Sequence, residues 1–212
     1  AAVEIDPVHA AAHAFNFPNC AVLPRSISDV TGPQILAAAK MGKSSRVDVV
    51  FGGPPCQGFS LMGQRALDDP RNSLVLEFVR IVNELAPAYF VFENVKGLTL
   101  GKHRVFLEEL LSAFGAIGYG VHEPWRVLNA VDYGVPQDRE RLILLGYRQN
   151  RMVPSYPAPQ GAASNHPTCS DALRDLPDAD QYETLWASDE VRTNAWGEPS
   201  RYARTLRCLG RD

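Results

Sequence analysis

The chain reads as an α/β protein whose sheet is mostly parallel. Short runs of β-formers alternate three times with helical patterns: 2–5 then 7–15, 47–51 then 72–85, and 89–92 then 103–114. Two more β-rich runs, 126–128 and 142–147, have no helical pattern between them, only a turn-rich connection through Asn129, Gly134 and Pro136. They are expected to form an antiparallel pair closing one edge of the sheet. At 212 residues and 45% hydrophobic content, the chain has apolar material for one sizeable core.

In the second unit, apolar residues recur at helical spacing from Leu74 to Val82, with Asn72 placed to cap the start and Pro87 to stop the helix. The third repeats the pattern with Val105, Phe106, Leu110 and Leu111 turned inward. Gly115 lies just beyond the expected end, where a left-handed cap favours glycine. After Arg151 the texture changes. Pro154, Pro157, Pro159, Gly161 and Pro167 crowd together and no hydrophobic period survives, so a linker or extended wrap is expected. A short helix over 169–176, ended by Pro177, is the one element expected there, and the polar remainder is weakly patterned.

Composition narrows the function. No apolar run approaches a membrane span and the first residues do not resemble a secretory signal, so a cytoplasmic or nuclear protein without a membrane partner is expected. Cys20, Cys56, Cys169 and Cys208 are far apart and form no Cys-x-x-Cys pair, which points away from a zinc cluster or a disulfide framework. No metal is expected. A net charge of −3 and a pI near 6.0 weigh against a nucleic-acid binder in bulk. A local basic face can still exist inside an acidic protein, and residues 126–151 hold Arg126, Arg139, Arg141, Arg148 and Arg151.

Three clusters fall at the ends of expected strands where ligands sit in open α/β sheets. The first is Phe51-Gly52-Gly53-Pro54-Pro55-Cys56-Gln57-Gly58-Phe59-Ser60. Two glycines allow close backbone approach and two prolines stiffen the turn, so Cys56 reads as a presented thiol, against the commoner fate of a lone cysteine as a small buried hydrophobe. The second is Glu93-Asn94-Val95 after an apolar strand, where the acid is either solvated or held in a cleft. The third runs from Tyr133 through Gln137-Asp138-Arg139-Glu140-Arg141. In an extended segment Arg139 and Arg141 share a side, so they either meet one anionic or carbonyl-rich ligand or form an ordinary solvated edge.

Together and in this order, the Pro-Pro-Cys-Gln-Gly-Phe-Ser, Glu-Asn-Val and Gln-x-Arg-x-Arg blocks resemble the cytosine-C5 DNA methyltransferase family. The resemblance extends to Val3-Glu4-Ile5-Asp6-Pro7, to Asp69-Pro70-Arg71-Asn72-Ser73-Leu74 and, more loosely, to the chain beyond Arg148. It implies a Rossmann-like S-adenosylmethionine-dependent sheet, a monomeric enzyme acting on double-stranded DNA, and a cytosine flipped out of the duplex. Cys56 would then add to C6 of the base. A free thiol is a few per cent ionised at neutral pH, a cost of about 2 kcal/mol or less, so loss of the ring's aromaticity is the greater obstacle. That burden falls by resemblance on Glu93, at N3 and the exocyclic amine, a role that asks for a closed, dry pocket. Arg141, with Arg139 beside it, would hold the base carbonyl, and Gln57 and Asn94 would shape the loops.

For the cofactor, the resemblance places Glu4 on the ribose hydroxyls, Ile5 and Ile27 against the adenine, and Pro55 and Leu74 at the border of the site. Ser26 stands where the family commonly has aspartate. The family's glycine-rich loop would precede Glu4 by about fifteen residues, upstream of Ala1. The chain is therefore expected to be an internal piece, with little or no activity alone, whose sheet lacks its first strand. Residues 1–150 would be a partial catalytic domain and 151–212 an extended linker towards an absent target-recognition region. Two other readings stay open: a tRNA-directed relative using the same cysteine chemistry, and a non-catalytic or split nucleic-acid-binding partner.

Overall fold

The computed structural model describes residues 1–42, 45–55, 73–101, 103–160 and 166–209. The chain divides into two compact units, Ala1–Val127 with Arg141–Tyr156, and Leu128–Glu140 with Pro157–Asp212.

The first unit begins with strand β1 (Ala2–Val3) and helix α1 (Pro7–Asn16). Asp6 starts α1 by accepting the Val8 and His9 N–H groups at 2.8 and 3.0 Å, and Pro7 takes a position where the missing N–H costs nothing. Strand β2 (Val22–Leu23) lies parallel to β1, and the two form their own sheet. Helix α2 (Gly32–Ala38) opens with a capping box in which Gln34 Oε1 accepts the Thr31 N–H at 2.9 Å. Then come β3 (Val49–Gly52), α3 (Ser73–Leu85), β4 (Tyr89–Val95), α4 (His103–Ala116), β5 (Tyr119–Val121), β6 (Arg126–Asn129) and β7 (Glu140–Arg148).

The five-stranded sheet runs β3-β4-β7-β5, with β6 pairing β7 beside that path. β3 and β4 are parallel, whereas β4–β7 and β7–β5 are antiparallel. The fold is thus α/β with a mixed sheet, and the β6–β7 pair forms as expected. β7 does not lie at an edge, however, because β5, a three-residue strand, adds beyond it. An element that short carries no period to read.

Alternation along β4 and β7 puts Phe90, Phe92, Leu142 and Leu144 on one face, each at most 1% exposed. α3 brings Phe78 and α4 brings Phe114 to the same core. Phe90 and Phe114 stack with centroids 4.1 Å apart, and Phe78 meets Phe92 edge-on at 5.5 Å. Gly146 makes room for this, because a Cβ there would fall 2.0 Å from the Phe90 ring.

α3 ends before Pro87 as expected, while Asn72 lies outside the described residues. α4 continues through Gly115 to Ala116, and the left-handed residue is Gly118 (φ 83°). The cap thus falls three residues later than the spacing suggests, and the added residue Ile117 packs against the core.

In the second unit, α5 (Cys169–Leu173) is shorter than the expected helix, and α6 (Arg201–Leu206) arises where no pattern was legible. Both are started by hydroxyls: Thr168 forms a capping box with Asp171, and Ser200 Oγ accepts the Ala203 N–H at 3.0 Å. The Thr168 backbone N–H and hydroxyl hold the Asp171 carboxyl below the usual aspartate range. Among its described residues only Ala172, Asp175 and Ala203 are buried, with Asp175 paired to Arg207 at 2.6 Å.

Candidate active site

The parallel register of β3 and β4 sets Gly52 beside Phe92, so the chain leaving β3 runs next to the end of β4. Gly53 then passes Glu93 so closely that a Cβ on it would sit 2.6 Å from Glu93 Oε2. One residue on, the Pro54 carbonyl accepts Asn94 Nδ2 at 3.0 Å, and Asn94 Oδ1 takes the Val95 N–H at 2.9 Å. Asn94 is only 4% exposed, so both its polar ends are satisfied inside the protein. These contacts fix the backbone up to Pro55, which is exposed. Cys56 and Gln57 lie outside the described residues.

On the other face of β4, Glu93 pairs across the ladder with Ile143, and Arg141 lies two residues before Ile143 on the same face. Arg141 Nε meets Glu93 Oε1 at 3.0 Å, with the two side chains 27% and 39% exposed. A surface ion pair of this kind contributes little stability, so its significance is positional. It aims a donor fork and a carboxylate at one place beside Gly53 and Pro54. A planar ring carrying a carbonyl and an amine fits such a pair of partners.

The other arginine is arranged differently. β7 begins at Glu140, so Arg139 precedes the strand, and its exposed side chain is not placed by strand alternation. Its backbone is held by Asn129, whose Oδ1 accepts the Arg139 N–H at 2.9 Å and whose Nδ2 donates to Asp138 at 2.7 Å. Ala130 N–H closes the turn on the Arg139 carbonyl at 3.0 Å. Asn129 was legible only as a turn residue, because its partners are set nine and ten positions away by a loop. Of the basic residues in 126–151, Arg126 lies over the Tyr156 ring, 5.3 Å from its centroid, and Arg141 is engaged with Glu93. Not every guanidinium there faces outward for an anion.

A second group gathers at the ends of β1 and β2. The Glu4 N–H donates to Leu23 O at 3.1 Å, and Glu4 Oε1 accepts the Asp6 N–H at 2.9 Å, which orients the carboxylate beyond the strand end. Ile5 is 67% exposed beside it. Ile27 opens a 3-10 turn, Ile27–Asp29, that Ser26 caps by accepting the Ser28 N–H at 3.3 Å. The Ser26 hydroxyl thus serves its own loop. Leu74, half buried, stands in the first turn of α3. An oriented acidic acceptor with an exposed aliphatic side chain at parallel strand ends suits the ribose and base of a nucleotide-like cofactor.

Glu93 at the end of the parallel β3–β4 pair, held to Arg141 of the antiparallel β7, and the oriented Glu4 carboxylate beyond β1 define an α/β fold with polar groups gathered at its strand ends, where such folds bind ligands, and comparison with known proteins sharpens this. The model of the C-5 cytosine-specific DNA methylase family matches residues 1–202, and the chain belongs to that family. It is 56% identical over 207 residues to the Type II methyltransferase M.XorII of Xanthomonas oryzae pv. oryzae, covering 98% of this chain and 47% of the relative. It is 39% identical to the Type II methyltransferase M.AquIA of a Picosynechococcus species, covering 84% and 79% respectively. A crystal structure of a DNA modification methyltransferase encoded within an E. coli prophage superposes with a TM-score of 0.67 at 31% identity, covering 83% of this chain and 48% of that one. The chain spans about half the length of M.XorII and of that prophage protein.

Proposed function

We propose that this chain carries the base-attacking part of a DNA (cytosine-5-)-methyltransferase that takes its methyl group from S-adenosylmethionine. The observation that carries the reading is the Glu93–Arg141 pair at 3.0 Å, set against Gly53 and the Asn94–Pro54 bond two residues before Cys56. Three blocks far apart in sequence supply these groups. The DNA-directed reading is preferred to a tRNA-directed one because the matching family is that of C-5 cytosine-specific DNA methylases and the superposed prophage protein is described as a DNA modification methyltransferase. The substrate would be double-stranded DNA with the target base flipped out, since ring carbons in a stacked duplex are out of reach.

Cys56, as thiolate, forms a bond to C6 of cytosine, and the π electrons of C5=C6 move towards C5. Glu93 shares a proton at N3 and accepts from the exocyclic amine, so negative charge does not build up on the ring. Arg141, with Arg139, donates to the base carbonyl, while Asn94 and Gln57 hold the loop that presents the thiol. S-adenosylmethionine supplies an electrophilic methyl group for C5. Loss of the C5 proton then returns electrons to the ring, and the S–C6 bond breaks to release Cys56. Glu4 would take the ribose hydroxyls, Ile5 and Ile27 the adenine, and Pro55 and Leu74 the border of that site. Residues 1–150 would form the catalytic part and 151–212 the lead towards target recognition.

The test is covalent trapping in the intact protein. DNA containing 5-fluorocytosine, incubated with S-adenosylmethionine, is expected to form a stable protein–DNA adduct because fluorine does not leave as a proton does. Cys56→Ala is expected to abolish it. An adduct that survives this substitution overturns the assignment of the nucleophile. Tritium transfer to tRNA but not to DNA would favour the tRNA-directed reading.

A further inference from the structure

α3 has a second face that the core does not use. Val75, Phe78, Val79 and Val82 turn to the sheet, while Glu77, Arg80 and Glu84 form a stripe at i, i+3 and i+7 along another side. Arg80 Nη2 donates to the Ile27 carbonyl at 2.8 Å and to the Val30 carbonyl at 2.9 Å. Its Nε is held by Glu77 Oε2 and its Nη1 by Glu84 Oε1, both at 2.7 Å. The other Glu84 oxygen accepts the Gly32 N–H at 2.6 Å, and a Cβ on Gly32 would come within 2.9 Å of Glu84 Cβ. Burial opposes the charge on Glu84, yet the Gly32 N–H and the Arg80 guanidinium hold its carboxyl below the ordinary glutamate range.

One guanidinium, fixed by two carboxylates, thus clasps a loop through its main chain at both ends of the 3-10 turn. The side chains of that loop take no part in the clasp: Val30 is buried, while Ile27 stays partly exposed. A planar five-donor fork can serve two carbonyls and two carboxylates together, whereas a lysine ammonium has three donors.

We propose that Arg80, locked by Glu77 and Glu84, is a positioning residue that sets the shape of residues 27–30 and thereby tunes affinity for the adenine end of the cofactor. The inference rests on the reading of Ile27 given above. Arg80 would act through the main chain of residues 27–30, so its effect belongs on cofactor affinity alone.

The test is steady-state methylation of DNA by the intact protein, together with calorimetric binding of S-adenosylmethionine and of adenosine. Arg80→Leu is expected to raise KM for S-adenosylmethionine about tenfold, the equivalent of one charge-assisted hydrogen bond. Adenosine affinity should fall by the same factor, while kcat at saturating cofactor and KM for DNA stay within about twofold. Arg80→Lys should recover part of the loss. Unchanged cofactor and adenosine affinities with a lowered melting temperature would overturn the proposal in favour of a purely structural clasp. So would a fall in kcat at unchanged KM. If Arg80→Leu does not fold, Arg80→Lys and Glu84→Gln decide on the same readouts. Absence of methyl transfer by the unsubstituted protein would instead sink the functional reading beneath it.

Discussion

Gly53 has no side chain, and the Glu93 carboxylate occupies the space one would fill. Gly53→Ala places its methyl 2.6 Å from Glu93 Oε2 and must push the carboxylate or the loop aside by roughly 1 Å to reach ordinary contact. Displacement of that size at a reacting centre costs on the order of 100-fold in rate. The expected outcome is a kcat about 100-fold lower with a melting temperature within about 2 °C of the parent, since no core contact is lost. Steady-state kinetics and a thermal melt check both. Two buried phenols make a separate residue-scale prediction. Burial lifts the ionisation of Tyr119 and Tyr156 above the ordinary tyrosine range, and each donates to a carbonyl at 2.6 Å, of Pro87 and Ile143. Because the folded values lie above the unfolded one, this stabilisation is complete below about pH 10 and drains away as pH rises through the raised values. Denaturant midpoints should therefore fall above about pH 10, and less steeply in Tyr119→Phe and Tyr156→Phe. At neutral pH each substitution should cost about 1 kcal/mol.

Among the elements, α3 is the one on which most depends. It packs the core with one face, clasps residues 27–30 with another, and begins at the expected cofactor border. It is stopped by Ala86, which adopts φ 47° ahead of Pro87. That region favours glycine over any residue with a Cβ. Ala86→Gly is expected to stabilise the protein by about 0.5–1 kcal/mol, read as a shift in denaturant midpoint at unchanged slope. The element-level reading of the sequence succeeded where periods were long, as in α3, α4, β4 and β7. It missed β2, β5 and α6, with two, three and six residues. It also missed α2, although Thr31 and Gln34 spell a capping box, because the helix is short and opens with Gly32-Pro33. Elements this small are held by neighbours and caps, and little of that leaves a period.

At the scale of the whole molecule, the buried apolar core of the described residues belongs almost entirely to one of the two units. Phe78, Phe90, Phe92, Phe114, Leu142 and Leu144 all lie in the unit formed by Ala1–Val127 and Arg141–Tyr156. The described part of the other unit buries two alanines and Asp175, whose partner Arg207 stays partly exposed. Local stability follows buried contacts, so amide hydrogens in α3, β4 and β7 should exchange at least about 100-fold more slowly than those in α5 and α6. Exchange mass spectrometry reads this directly, and equal protection of both sets would contradict it. Net charge at this scale says little about the ligand. A total of −3 leaves room for a DNA substrate once the arginines of the site are considered one by one.

The order of the blocks around Cys56, Glu93 and Arg141, the α/β alternation and the family resemblance are all properties of residue identity and local spacing, so they could be read without coordinates. Spacing could not say that β7 lies inside the sheet, because pairing partners are chosen by burial across the whole fold. For the same reason it could not set Arg141 diagonally across from Glu93 or Gly53 against the Glu93 carboxylate. Nor could it show Arg80 reaching fifty residues back to the Val30 carbonyl. Such contacts join groups that are remote along the chain, and they exist only once the core has fixed where each strand and helix lies.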